Sequence, residues 1–388
     1  MERQRKWWVM SALFTLLGAA SACSATTVSM AGFAYSGDAK SIPSRFPYSQ
    51  KFNELLGNAG INGLIRQSVA TLAPLKFELQ TTALSELKGS DQVVVVALVM
   101  NSETVSTERF GPYAKVFIQL RAQAVFFDFK TMTVVRAYPF SVAYVDLLDH
   151  MPEADELTDR VRKLYLGNDK TAGLVQRFGQ ALTTASLPAQ VPRFLQVSKV
   201  SVTDEARKAL PVELGGAPGV AETWIADMMS EAISARSGAP MLPYAKGYAI
   251  GQVMSMRIAD GTVYELKLPE PDYAFSVDLL RFGRFEHAKV AAGTSYIYAS
   301  KASIKLQQPL SGRTYLDSEF KNGEVKTVPS SQQSIDDFPA YSDSLHGLFN
   351  KLAGVVAGTP DAWLTDAANG KDMSKQISAT KEVIESCK

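Results

Sequence analysis

Residues 115–140, KVFIQLRAQAVFFDFKTMTVVRAYPF, constrain the fold more than any other stretch of the 388-residue chain. One parity carries Val116, Ile118, Leu120, Ala122, Ala124 and Phe126; the other carries Lys115, Gln119, Arg121 and Gln123. Side chains of an extended strand alternate between two faces. This period of two therefore predicts a strand with one face on a core and one partly wet. Lys130 and Thr131 break the run, and residues 133–140 return rich in β-branched and aromatic side chains. The pair reads as a hairpin.

The pattern comes back 180 positions later. Residues 296–307, YIYASKASIKLQ, put Tyr296, Tyr298, Ala302, Ile304 and Leu306 on one parity, with Lys301, Ser303, Lys305 and Gln307 on the other. Arg121-Ala122 matches Lys301-Ala302, and because the offset is even the faces correspond. Ser311-Gly312 turns the chain where Thr131-Met132 does.

The flanking stretches repeat in the same order. A small apolar strand over 26–35 ends in Ser36-Gly37-Asp38, a turn signal. Residues 41–48 hold Pro43 and Pro47 and read as a loop; Phe52, Leu55, Leu56, Leu64, Ile65, Val69 and Leu72 follow helical spacing, broken at 57–60. A short strand over 75–79 and a buried one over 92–100, apolar on both parities, lead into the hairpin. Two helices close the first half. Prolines in 187–192 mark a boundary, after which 193–202 opens a second strand–helix–strand order. There, Asp260-Gly261 and Asn322-Gly323 each signal a tight hairpin. The expected fold is α+β: two related domains, each a mostly antiparallel sheet packed with helices, arising by internal duplication. Their bounds are 26–187 and 193–358, with a helical tail over 359–388.

The N-terminus sets the expected location. Arg3, Arg5 and Lys6 precede an apolar run over 7–20, and Ala20-Ser21-Ala22 offers small residues for cleavage, so 1–22 reads as a secretory signal peptide. The apolar run is shorter than the ~20 residues a membrane span needs. Ala20-Ser21-Ala22-Cys23 resembles a bacterial lipoprotein box, departing from it at Ala20, where leucine is usual. The resemblance implies lipidation at Cys23, and Ser24 after it implies sorting to the outer membrane. The alternative is a disulfide between Cys23 and Cys387, the only two cysteines. Otherwise Cys387 is a lone thiol on a frayed tail. With 40 basic against 39 acidic residues, no global field favours nucleic acid. Membrane contact is expected only through an N-terminal lipid.

Residues 28–33 (VSMAGF), the turn Ser36-Gly37-Asp38, the helix through Leu64 and Ile65 and the strand Phe77-Glu78-Leu79 together resemble the start of the TolB N-terminal-like fold. That fold is shared by the curli-secretion lipoprotein and by lipoprotein activators of penicillin-binding proteins. The resemblance covers about 60 residues per half and implies binding to other envelope components rather than catalysis.

Candidate chemistry is thin. His150 lies among Asp146, Asp149, Glu153 and Asp155 without metal-ligand spacing and reads as a solvated acidic turn. His287 reads as half-buried and structural. His346 follows Asp343 and Ser344, but no nucleophile elbow accompanies them. Residues 215–219 (GGAPG) precede a helix yet lack the Lys-Ser/Thr of a phosphate loop. Met228, Met229, Met254 and Met256 could line an apolar groove or fill a core. In the loop over 35–48, Lys40, Arg45, Phe46 and Tyr48 combine cations with aromatic rings, which suits a contact surface. The expected function is that of a non-catalytic exported envelope accessory or assembly protein, without cofactor or metal, acting on an envelope protein or the cell wall. The alternatives are a hydrolase using Asp128, Asp146 or Asp149 and a periplasmic small-ligand or lipid carrier.

Overall fold

Alternation on the 115–140 and 296–307 stretches builds two separate sheets, each longer than its hairpin alone. In the computed structural model the described residues are 26–37, 40, 42–72, 75–81, 93–110, 112–187, 192–216, 218–244, 253–258, 261–330, 332, 335–360 and 362–388. The expected signal peptide over 1–22 and Cys23 lie outside them. In the first half β1 (Thr27–Ser36) is followed by α1 (Ile42–Arg45), α2 (Pro47–Leu55) and α3 (Gly60–Val69). Then come β2 (Glu78–Gln80), β3 (Val94–Phe110), β4 (Tyr113–Asp128), β5 (Thr133–Leu148), α4 (Ala154–Leu166) and α5 (Leu174–Thr184). The second half runs β6 (Leu195–Val202), α6 (Asp204–Arg207), α7 (Val212–Gly215), α8 (Val220–Ser237), β7 (Val253–Ile258) and β8 (Val263–Lys267). It continues with β9 (Tyr273–Val290), β10 (Gly293–Gln307), β11 (Thr314–Pro329), α9 (Phe338–Val356), α10 (Trp363–Ala367) and α11 (Met373–Ser386).

The chain is α+β, with a seven-stranded and a four-stranded sheet packed with helices. The internal correspondence extends to irregularities. β1 pairs parallel with β3 through a bulge between Met30 and Gly32, and β6 pairs parallel with β9 through a bulge between Val197 and Lys199. The β3–β4 register slips beside Arg121, and the β9–β10 register slips beside Lys301. Met132 and Gly312, 180 positions apart, both turn the chain at positive φ, 53° and 70°. Bulges redirect a strand and consume one extra residue, so matching bulges at matching places are a stronger sign of duplication than alternation alone.

The even-numbered face of β4 (Val116 to Phe126) lies under α2–α5 in one core. The even-numbered face of β10 (Tyr298 to Leu306) lies under α8, α9 and α11 in another. Helix α8 packs on β6 and on β5, so it is shared between the sheets. Its buried residues accordingly run nearly all round it, from Ala221 through Trp224, Met228 and Met229 to Ser234. The layers are thus helices, first sheet, α8, second sheet. The outer face of the second sheet carries no layer among the described residues.

Four expectations need correction. The expected hairpin forms, with β7 antiparallel to β8, but β7 also pairs antiparallel with β1 and β8 touches β5 at Thr133, so residues from the second half close the first sheet into a ring. A third core fills that ring, where Met254, Met256 and Ile258 meet Val95, Ala97 and Val99. This explains why 94–100 is apolar on both parities. Residues 42–48, expected as part of a loop, are largely helical, because proline lacks an N–H and has a fixed φ that suit a first helical turn; Pro47 opens α2. Asn322-Gly323 does not turn. β10 offers partners along its whole length, and Asn322 pairs with Ser300 while Gly323 pairs with Ala299 inside a continuous β11. The tail is not appended or frayed: Val383, Ile384 and Cys387 belong to the second core, and the Cys387 carbonyl accepts a bond from Arg136 Nη1 of the first half at 2.8 Å.

Candidate functional site

The loop expected to form a contact surface is a structural clamp. Phe46 is fully buried, 5.0 Å centroid to centroid from Tyr35, with the Arg45 guanidinium 4.9 Å over its ring. Arg45 donates to the Ser36 and Asn101 carbonyls at 2.7 Å each. At the start of α2, the Tyr48 and Ser49 amides donate to the Glu103 carboxylate at 2.9 and 2.8 Å, and the Ser49 hydroxyl donates to it as well. A carboxylate from the neighbouring strand thereby satisfies the orphan amides of a helix N-terminus. Burial raises the Glu103 pKa, and these hydrogen bonds oppose the rise. Of the four residues only Lys40 is exposed. Sequence reasoning missed this because aromatic and basic residues suit a clamp as well as an interface.

Beside the clamp lies an open cleft of about 310 Å³, whose walls include Tyr35, Ile42, Asn53, Glu54 and Arg257. The buried Tyr35 hydroxyl has no hydrogen-bond partner, and burial, with Glu103 and Glu54, raises its pKa. The walls are polar.

A buried seam joins the halves. Arg121 Nη1 donates to Glu231 Oε2 at 2.7 Å, and Ser141 Oγ donates to Glu231 Oε1 at 2.5 Å. Gln123 Nε2 donates to Asn101 Oδ1 at 3.1 Å. Asp227, one turn before Glu231 on α8, faces the same cluster. Burial pushes its carboxyl up to about 6; Arg121 opposes the shift, Glu231 adds to it, and Arg45 and a hydrogen bond from Asn101 oppose it. Burial lowers the His346 pKa at the rim, countered by Glu231. The parity rule placed Arg121 and Gln123 on a partly wet face; instead α8 covers Arg121, and Asn101 with Met254 of β7 covers Gln123.

The remaining candidates scatter. Asp128 accepts from the Thr131 amide and hydroxyl at 2.7 and 2.8 Å and caps a turn. Asp146 accepts from Tyr144 Oη at 2.7 Å and lies opposite Val116, twelve residues along β4 from Asp128, about 40 Å away. Paired carboxyls in a glycosidase stand ~5–10 Å apart. His150 bonds Asp149 at 2.7 Å and Glu156 at 3.0 Å, which raise its pKa. His287 is exposed rather than half-buried. Ser344 turns into the second core, donating to the Asn322 carbonyl at 3.0 Å, and forms no triad with His346. Met228 and Met229 fill the second core while Met254 and Met256 fill the ring, so the four share no groove. Gly215 ends the short α7, and Gly219, at φ +83°, caps α8. Among the described residues no group of three or more His, Cys, Asp or Glu is placed to hold a metal, and no helix is long and apolar enough to cross a membrane.

One group of exposed apolar side chains lies at one end of the molecule: Tyr113, Val145 and Leu147 on the first sheet and Phe285, Val290 and Val325 on the second. Leu55, Val212, Val253, Val263 and Leu310 are exposed elsewhere. The two sheet ends are adjacent: Glu108 Oε1 on β3 accepts from the Asp336 amide, and the Ser330 amide after β11 donates to the Ala292 carbonyl. β1 starts at the opposite end, since Val28 pairs with Val94 and β3 then runs about 50 Å to Phe110. The signal was present as apolar residues on a polar parity.

No family model matches the chain. No curated protein matches it. Among solved structures the chain is similar to protein XCC0632 from Xanthomonas campestris, which carries the family description DUF330. Identity is 18%, the TM-score is 0.25, and the match covers 44% of this chain and 89% of that one.

Proposed function

We propose that this chain is a non-catalytic, exported cell-envelope accessory protein that works through contacts with another envelope protein, tethered by a lipid on Cys23 to the periplasmic face of the outer membrane. One observation carries the reading: six exposed apolar side chains, from both sheets, sit together at the strand ends farthest from the start of β1. Monomeric proteins rarely group such residues without a partner. A tether three residues before Thr26 would hold the β1 end near the membrane and present the apolar end to the periplasm. The likeness of residues 28–81 to TolB-type envelope proteins agrees with this role. The ionisable groups with shifted pKa, Glu103 and Asp227 among them, tie structural elements together.

The test has two parts. Intact mass of the mature protein from its native host, with detergent fractionation, should show Cys23 at the N-terminus with a diacyl- or triacylglyceryl increment; an unmodified soluble chain would overturn the tether. The double variant Val145→Asp/Leu147→Asp should keep the wild-type melting temperature and lose the partner that co-purifies with wild type. Retention of every partner would overturn the docking role.

A second reading rests on the polar cleft beside Tyr35. A thermal-shift screen of polar metabolites should find one that raises the wild-type melting temperature and fails to raise that of Tyr35→Phe. No such compound would end the carrier alternative.

A further inference from the structure

On the outer face of the second sheet, residues directly opposite one another across β9, β10 and β11 form rows, one row every two residues along β10. Arg281, Lys301 and Lys321 form a basic row; Gly283, Ala299 and Gly323 form the next; Phe285, Ile297 and Val325 form the third. All point away from the core, because Ser300 between them bonds Ser344 of α9. The middle row has almost no side chains, and the third row leans over it. A Cβ on Gly283 would lie 3.0 Å from Phe285 Cε2, and one on Gly323 would lie 3.1 Å from Ile297 Cγ2. The result is a flat apolar platform. Phe285 and Val325 are each 57% exposed on it, and one side is edged by positive charge.

We propose that this platform is the docking site for an acidic amphipathic helix of a partner protein. The chain itself displays the arrangement. Arg121, Gln119 and Ala143 of the first sheet stand 180 positions before Lys301, Ala299 and Gly323, on the equivalent face. At its Arg121 and Ser141 end that face is covered by a helix, α8, whose Glu231 meets Arg121 at 2.7 Å and Ser141 at 2.5 Å, while Ala143 beyond it is exposed. In the second half the basic residue is kept as Lys301, and Arg281 and Lys321 add charge where the first sheet has Ser102 and Ser141. The apolar row is completed: Phe285 stands where the first sheet has Ser106, beside Ile297 and Val325 in the places of Phe117 and Val145. A helix ~10 Å across fits the three-strand width. Its apolar side would lie on Phe285, Ile297 and Val325 and its carboxylates on the basic row. Lys301 now pairs with Glu319 at 2.6 Å across the strands, so an incoming carboxylate competes with an exposed in-sheet pair of small worth.

The inference rests on the docking role proposed above and names the partner's chemistry. The probe is a fluorescein-labelled, 18-residue helical peptide with leucine and alanine on one face and glutamate flanking it. It is titrated into the full mature chain alongside a lysine-for-glutamate counterpart. The glutamate peptide should bind and shift the Ile297 and Val325 methyl resonances. Val325→Asp should weaken it at least tenfold, as should Lys301→Glu/Lys321→Glu, and the charge-reversed variant should gain the lysine peptide. Equal binding of both peptides, or methyl shifts confined to other sites, would overturn the proposal. So would a Val325-dependent dimer of this chain, or displacement of the glutamate peptide by phosphatidylglycerol vesicles. If the peptide fails yet Val325→Asp still removes a co-purifying protein in cells, the helix inference falls and the docking role stands. Val325 and Lys321 are solvent-exposed and Lys301 is half-buried, and an unchanged melting temperature confirms that the variants fold.

Discussion

Asparagine in place of Asp227 should stabilise the protein at neutral pH, which is unusual for the loss of a charge beside an arginine. The Asp227 carboxyl rises from an ordinary 3.8 to about 6, because burial and Glu231 outweigh Arg121, Arg45 and Asn101. A raised carboxyl pKa means that the folded state holds the proton more tightly than the unfolded chain. The favourable contribution is therefore present below about pH 4 and is lost as the pH rises through 6. At ~1.4 kcal/mol per pKa unit, the ionised carboxylate costs about 3 kcal/mol above pH 7. Asparagine keeps the shape and can still bond Asn101 while removing the charge. Stability should be measured by urea unfolding at several pH values, followed through Trp224, three residues away on the same helix. The gain of Asp227→Asn over wild type should be near zero at pH 4 and grow to about 2–3 kcal/mol at pH 7.5. Comparing the two proteins at each pH removes the background from groups whose pKa is lowered, such as Asp159 and Glu319. A variant less stable than wild type at pH 7.5, or a difference that does not change with pH, would show that Asp227 is held as a paired anion and refute the reasoning.

Other substitutions probe the same architecture. Arg121→Leu should cost about 3 kcal/mol or more in urea unfolding by stranding Glu231, and adding Glu231→Leu should recover much of that. Glu103→Ala removes a carboxylate that accepts three hydrogen bonds at the start of α2. It should cost about 2 kcal/mol and speed amide exchange at Tyr48 and Ser49, measurable by NMR. Burial pushes the Cys387 thiol up to about 11. It should resist an aromatic disulfide reagent in the native protein and react fully in urea, and rapid native labelling would show that α11 detaches.

How much of this was legible from the residues depends on distance along the chain. The alternation at 116–126 placed β4 and its core face correctly, and an even offset carried the same reading to β10, because strand parity is a local property. Helices with strong apolar spacing, such as the one through Leu157, Val161 and Leu164, formed where expected. Pro47 misled because a proline breaks a helix interior but suits a first turn, and sequence spacing does not say which it will meet. Asn322-Gly323 misled because a turn signal competes with pairing, and β10 is long enough for pairing to win. The candidate interface residues misled for a related reason: Arg45 and Phe46 have the chemistry of a surface hot spot, yet the Ser36 and Asn101 carbonyls engage Arg45 and Phe46 is buried against Tyr35.

The sequence by itself determined the α+β class, the duplicated order of elements and the inward face of each long strand. All of these follow from periodicity and turn chemistry within a few tens of residues. Only the tertiary structure decided that a hairpin from the second half closes the first sheet, that α8 serves both sheets, and that one strand face stays open with Phe285, Ile297 and Val325 upon it. Parity tells which side chains share a face. Which face is covered depends on how layers distant in sequence stack, and there burial of apolar area and pairing of charges such as Arg121 with Glu231 make the choice.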